Sequence, residues 1–142
     1  LVFLLAVACA ARPLWRRRFD WFLLGGSAFL FGGMVVAANS GQALQKVLDG
    51  VVKVDKHADL GETTRLLALL LLVAVVAFVF VGRWADAKAR SSVGAAAAAA
   101  PAWLVPALGA LMSVLSLLVL IWSIRTGHEG AKVVWDGVIP KT

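Results

Sequence analysis

The stretch LLALLLLVAVVAFVFVG, residues 66–82, carries no charged side chain and constrains the fold more than any other part of the chain. An α-helix rises about 1.5 Å per residue, so a run of this length nearly matches the roughly 30 Å hydrocarbon core of a membrane. Two further runs, residues 21–38 and 102–124, are similarly long and apolar. Because backbone polar groups in lipid must be satisfied within their own segment, we predict that all three cross a membrane as α-helices.

The first residues, LVFLLAVACAA, form a fourth apolar run that would rise only about 16 Å as a helix. A cleaved signal peptide would carry its positive charge before the apolar part, whereas here Arg12 and the arginines at 16–18 follow it. We therefore predict that residues 1–12 belong to a first helix truncated at the N-terminus. The expected fold is all-α: residues 1–142 form a single transmembrane domain, an integral membrane four-helix bundle.

The polar segment between the second and third apolar runs has a helical pattern of its own. Apolar residues recur there at spacings of three and four, namely Ala43, Leu44, Val47, Leu48, Val51 and Val52. This periodicity predicts a short amphipathic outer helix over residues 41–53. Such a helix can lie in the headgroup plane or pack across the end of the bundle.

Composition disfavours several functional classes. The chain is 61% hydrophobic and 15% charged, with a mean hydropathy of +0.89, which a water-soluble domain of this size could not bury. The net charge of +6 comes from basic residues that flank apolar runs, where they anchor helix ends among headgroups, so we expect membrane lipids and not nucleic acid as partners. The single cysteine excludes a CxxC metal pair, and no hydrolase or nucleotide-binding motif is present.

The densest basic cluster predicts the orientation. Arg16, Arg17 and Arg18 lie in the shortest connection, which by the positive-inside rule faces the cytoplasm. Both termini are then on the outer face.

Helix two carries small residues at four-residue spacing. Two such pairs occur, Ala28 with Gly32 and Gly33 with Ala37. Small residues at this spacing let a neighbouring membrane helix approach closely, so we interpret the four residues as a helix-packing surface within the bundle.

Two histidines are the candidate functional residues. His57 precedes helix three and His128 follows the apolar part of helix four, so two crossings separate them and both lie on the same side of the membrane. Gly61, Gly127 and Gly130 border them, and small neighbours would let a flat macrocycle come close to the backbone. One hypothesis is a b-type haem ligated by both imidazoles.

Two other interpretations of the histidines remain open. A mononuclear metal site would use Glu62 and Glu129 as oxygen donors beside the imidazole nitrogens of His57 and His128. In the simpler interpretation both histidines are interfacial polar residues: His57 pairs with Asp59 or Glu62, and His128 caps the end of helix four.

Three segments resemble a known family: ANSGQALQ at residues 38–45, KHADLGET at 56–63 and RTGHEGAKVVW at 125–135. They are similar to a widespread family of bacterial four-helix membrane proteins classed as a domain of unknown function, and the C-terminal Gly-His-x-Gly-Ala is the most specific element. That family is distantly similar to di-haem membrane cytochromes of the b561 type, and many members begin with a His-Pro motif that this sequence does not show. The resemblance implies a multi-pass protein of the bacterial inner membrane, in which His57 and His128 match the family's later histidine positions.

Two functions follow as hypotheses. The first is a non-catalytic accessory or assembly subunit of a larger membrane complex, such as a respiratory electron-transfer complex, with other membrane subunits as partners and no cofactor. The alternative is a small electron-transfer protein that binds haem b or a metal through His57 and His128 on the outer side. An enzyme is less expected, because the apolar runs contain no ionisable residue at mid-depth.

Overall fold

The structure, a computed structural model, describes residues 1–48, 55–91 and 101–135 and is helical throughout. In chain order the helices are α1 (Val2–Ala11), α2 (Pro13–Leu48), α3 (Asp55–Ser91) and α4 (Leu104–Trp135). No strand occurs in these described ranges. The all-α prediction is therefore confirmed.

A single residue separates the first two helices. Arg12 is extended, with φ −133° and ψ 114°, and Pro13 is the first residue of α2. The proline ring disfavours a helical conformation in the residue before it, and a proline at the first helical position loses no hydrogen bond. The chain therefore breaks at Arg12, and the arginines at 16–18 lie in the first turns of α2 and not in a loop.

The helices extend well beyond the apolar runs that predicted them. The expected bounds were about 1–12, 21–38, 65–82 and 102–124, whereas α2, α3 and α4 contain 36, 37 and 32 residues. Extending an existing helix fixes one residue for each new hydrogen bond, whereas starting a helix fixes several for the first bond, so helices continue into polar sequence that hydropathy does not detect.

The predicted amphipathic helix does not begin as a separate element. Residues 41–48 are the C-terminal turns of α2, which is unbroken from Pro13 to Leu48. The rest of the predicted segment, residues 49–53, lies outside the described residues.

Each helix packs against two others. α1 contacts α2 and α4, and α3 contacts α2 and α4, while the diagonal pairs make no close backbone approach within the described ranges. Leu23 of α2, Phe78 and Leu71 of α3 and Met112 of α4 are almost fully buried where the helices meet. At Gly109 of α4 a side-chain Cβ would lie 3.0 Å from the Cβ of Ala10, so the missing side chain allows α1 and α4 to approach closely.

Three helices are long and apolar enough to cross a membrane. The spans are Leu14–Ala43, Ala58–Arg90 and Leu104–Lys132, and α1 is apolar but shorter. α3 is the most enclosed, with 39% of its most apolar window buried, against 22% for α4 and 11% for α2. Large apolar side chains therefore face outward, where lipid is their natural solvent.

Candidate functional site

The two histidines lie in different surroundings. His57 is in the first turn of α3, and its side chain lies outside the described residues. His128 lies within α4, and its side chain is exposed. α4 continues about two turns past His128 to Trp135, so His128 does not cap the end of the last helix.

Helix register shows which way His128 faces. The hydroxyl oxygens of Thr64 and Thr126 are 3.2 Å apart, which marks where α3 faces α4. Each residue advances a helix by about 100°, so His128 lies about 200° around α4 from Thr126. The structure therefore directs His128 away from the contact between α3 and α4 at Thr126.

The residues predicted to surround the histidines have local partners. Glu62 lies 3.9 Å from Arg65, and Glu129 lies 3.3 Å from Lys132, each pair being three residues apart on one helix. A Cβ added at Gly61 or at Gly127 would meet nothing within 4 Å. Among the residues that the structure describes, these two glycines therefore border open space.

The cofactor hypotheses gain no support from the described side chains. Within the part of the chain that the structure describes, no three His, Cys, Asp or Glu side chains lie close enough together to hold a metal ion. The exposed side chain of His128 and its direction away from Thr126 do not suit bis-histidine ligation between α3 and α4. Haem b and the mononuclear metal site therefore stay predictions from sequence.

The predicted helix-packing residues of α2 lie on an open surface. Ala28, Gly32, Gly33 and Ala37 are all exposed, and a Cβ at either glycine would meet nothing within 4 Å. α2 buries the opposite side, so these small residues do not pack against any described part of the chain, contrary to the expected packing within the bundle. We call these four residues, together with Gly25, Phe29 and Val36, which are exposed on the same side, the outer face of α2.

The strongest electrostatic feature lies where α1 and α3 end and α2 and α4 begin, which we call the arginine end. Asp20 of α2 is buried, and its Oδ2 accepts a hydrogen bond of 2.8 Å from Nε of Arg83 on α3. Its Oδ1 accepts a second bond from the backbone N–H of Trp21. The Arg83 guanidinium also lies 4.7 Å from the centre of the Trp21 ring, a cation–π distance.

A second ion pair links the same two helices. Asp86 of α3 accepts hydrogen bonds from Nη2 of Arg16 at 2.7 Å and from Nε of Arg17 at 3.1 Å. Gly82 makes room for this contact, because a Cβ there would lie 3.3 Å from Cζ of Arg16. Two carboxylates thus hold three guanidinium groups, and this network fixes the start of α2 against the end of α3.

Sequence reasoning did not identify this network, although it left a signal. Asp20 directly precedes the second apolar run and Arg83 directly follows the third, so both lie one residue outside the segments taken as membrane spans. Ionisable residues so close to hydrocarbon are costly unless they pair. Their presence on consecutive membrane-spanning helices, which run antiparallel, would have suggested that Asp20 and Arg83 meet.

No protein-family model matches this chain, and no curated protein or solved structure matches it either. The resemblance to the bacterial family of unknown function therefore stays a prediction that depends on the three sequence segments alone.

Proposed function

We propose that this chain is a non-catalytic accessory or assembly subunit of a larger membrane complex, such as a respiratory electron-transfer complex. In this proposal its four helices form a bundle in the bacterial inner membrane, with both termini on the outer side. Other membrane subunits then cover the outer face of α2.

The observation that carries the proposal is the outer face of α2. A Cβ added at any of its glycines would meet nothing within 4 Å among the described residues, and α2 buries the smallest share of its apolar window among the three spanning helices. Lipid tails are as apolar as leucine, so a lipid-facing surface gains nothing from glycine, whereas a helix–helix interface gains dispersion contact from close backbone approach. A helix of another subunit fits this surface better than lipid does.

Helix length supports the same interpretation. At about 1.5 Å per residue, the 36 residues of α2 and the 37 of α3 extend about 54 and 55 Å, against a bilayer of roughly 40–45 Å with its headgroups. In this proposal the excess length projects into water at the end opposite the arginine end, because residues 39–48 of α2 and 55–65 of α3 are the polar parts of the two helices. There they present both charge signs, with Glu62 and Arg65 on α3 and Glu129 and Lys132 on α4. A projecting polar surface of this kind suits contact with the soluble part of a partner.

The ion pairs at the arginine end have a structural role in this proposal. They hold α2 against α3 from the side that faces away from the outer face, because Asp20 is buried while Ala28 is exposed. α2 is thus kept in one rotational position. A helix whose rotation is fixed before association loses less freedom when a partner docks.

The test compares two identical substitutions in the full-length protein, expressed at native level in its own host. Ala28→Leu fills the outer face of α2, and Ala110→Leu makes the same change at an exposed alanine of α4. Membranes are extracted in mild detergent and resolved by native electrophoresis, and the components of each band are identified. We expect the wild type and Ala110→Leu in a discrete band with at least one other membrane protein. Ala28→Leu should migrate as the chain alone.

Three results would contradict the proposal. The first is a wild-type band that contains this chain and no other polypeptide. The second is equal migration of the two leucine variants, which would show that the outer face of α2 is not the surface that contacts a partner. The third is a reduced-minus-oxidised haem band in the same purified sample that disappears in His128→Ala, because it would assign the chain a redox cofactor of its own.

A further inference from the structure

A recess of about 480 Å³ opens on the first turns of α2, and no function discussed so far uses it. Leu14, Trp15, Arg18 and Phe19 line it. The spacing of one, four and five residues places these side chains on one side of the helix. The rings of Trp15 and Phe19 are 5.9 Å apart, so they form a continuous apolar wall beside the Arg18 guanidinium. We call this site the α2 recess.

A second cation borders the α2 recess. The guanidinium carbon of Arg12, the residue between α1 and α2, lies 5.9 Å from the centre of the Trp15 ring. Arg12 and Arg18 are both exposed. Trp15 therefore lies beside one arginine and shares the recess with another.

The carboxylates of the arginine end already bind other arginines. Asp20 accepts from Arg83, and Asp86 accepts from Arg16 and Arg17. Between residues 1 and 38 and between residues 83 and 124 the sequence contains no other Asp or Glu. In the parts of the chain that the structure describes, this end therefore has no carboxylate left to pair with Arg12 or Arg18. An anion that pairs with these two arginines must come from another molecule.

The position of the α2 recess relative to the membrane indicates which anion binds there. The membrane span of α2 begins at Leu14, within the recess itself, and exposed Trp21, Trp84 and Trp103 mark the same end of the helices. Tryptophan concentrates at the headgroup level, where lipid phosphates lie. A guanidinium matches phosphate oxygens with two parallel N–H donors, and Leu14 and Phe19 supply apolar contacts for the acyl ester region.

We propose that the α2 recess binds the phosphodiester headgroup of one anionic phospholipid, with Arg12 and Arg18 as the anion ligands. Trp15 and Phe19 pack against the glycerol and the first acyl methylenes. The site lies at the arginine end, on the same side of α2 as the outer face but nearer the start of the helix than its first residue, Gly25.

The experiment measures binding of the first lipid to the purified full-length chain in neutral detergent, by native mass spectrometry. The probes are phosphatidylglycerol and phosphatidylcholine with the same acyl chains. The variants are Arg18→Gln, Arg12→Gln and their combination. Arg90→Gln is the matched control, because Arg90 is an exposed arginine at the same end that does not line the recess. Helical circular dichroism confirms that each variant is folded.

We expect Arg18→Gln to raise the dissociation constant for phosphatidylglycerol about fivefold, the effect of about 1 kcal/mol per basic residue. The double variant should raise it about 25-fold, and Arg90→Gln should change it less than twofold. Arg18→Lys, which keeps the charge but loses the planar donor pair, should give an intermediate value. The dissociation constant for phosphatidylcholine should exceed that for phosphatidylglycerol at least about fivefold, the effect expected from losing one arginine.

Three outcomes would overturn the proposal. Equal loss of affinity in Arg90→Gln and Arg18→Gln would show general attraction to a basic surface and not a site. Equal binding of the two lipids would exclude recognition of a net negative headgroup. Displacement of the lipid by millimolar inorganic phosphate would show that the recess takes free phosphate and that the lipid contributes nothing beyond its charge.

Discussion

The ion pair between Asp20 and Arg83 should respond very differently to the removal of each partner. The Asp20 side chain is 4% exposed, whereas that of Arg83 is 48% exposed. Arg83→Gln leaves a carboxylate buried without its counter-ion, and uncompensated buried charges destabilise proteins by about 3–5 kcal/mol. Asp20→Asn leaves an arginine that still reaches water and still lies 4.7 Å from the Trp21 ring.

The structure sets the size of this difference. Asp20 keeps one hydrogen bond, from the backbone N–H of Trp21, so we place the Arg83→Gln effect at the lower end, about 3 kcal/mol. For Asp20→Asn we expect about 1 kcal/mol, the net worth of a typical hydrogen bond, because solvent screens the half-exposed guanidinium. The double variant leaves no buried charge. It should therefore cost about 2 kcal/mol and not the sum of the single effects, about 4 kcal/mol.

Equilibrium unfolding in mixed micelles, titrated with sodium dodecyl sulfate and followed by helical circular dichroism, measures all four free energies. A difference of about 2 kcal/mol between the single variants corresponds to roughly a 30-fold difference in the unfolding constant. Equal effects of Asp20→Asn and Arg83→Gln would refute the claim that the buried Asp20 carboxylate needs its counter-ion more than the half-exposed Arg83 does. Strict additivity in the double variant would refute the ion pair itself.

Two further predictions use the same unfolding assay. Gly109→Ala should destabilise the protein by about 1 kcal/mol, because the new Cβ would lie 3.0 Å from that of Ala10, whereas Gly25→Ala, which meets nothing within 4 Å, should be neutral or stabilising by up to about 1 kcal/mol. The same sign for both glycines would contradict the close approach of α1 and α4. Thr64→Val should cost about 0.6 kcal/mol, typical of a hydrogen bond between membrane helices, because Thr64 and Thr126 also bond to their own backbones. An effect near zero would show that the contact between the two hydroxyls contributes nothing.

Small residues show a limit of sequence reasoning about packing. The spacing of Ala28, Gly32, Gly33 and Ala37 predicted packing within the bundle, whereas all four are exposed on one side of α2. Such spacing identifies a surface that a helix can approach closely, but not which helix approaches it. The rotation of α2 about its axis decides that, and this rotation directs Asp20 and Leu23 toward the other helices.

The histidines show a second limit. Counting crossings placed His57 and His128 on the same side of the membrane, and the antiparallel packing of α3 and α4 is consistent with that. Whether two residues face each other depends on rotation about the helix axis. α4 runs unbroken to Trp135, so the contact of Thr126 with Thr64 sets the direction of His128 as well. The sequence predicted that helix four ends near residue 124, so it could not predict the direction of His128 from the helix register.

By itself the sequence determined that the chain is helical and apolar enough to cross a membrane, because hydropathy sums over consecutive residues and lipid leaves the backbone few alternatives. It also determined the break at Arg12, since the restriction imposed by Pro13 is local. Only the tertiary structure decided that Asp20 pairs with Arg83, 63 residues away, and that the small residues of α2 face outward. Those outcomes depend on the rotation and depth of each helix, which arise from all of its packing contacts together and not from any one segment.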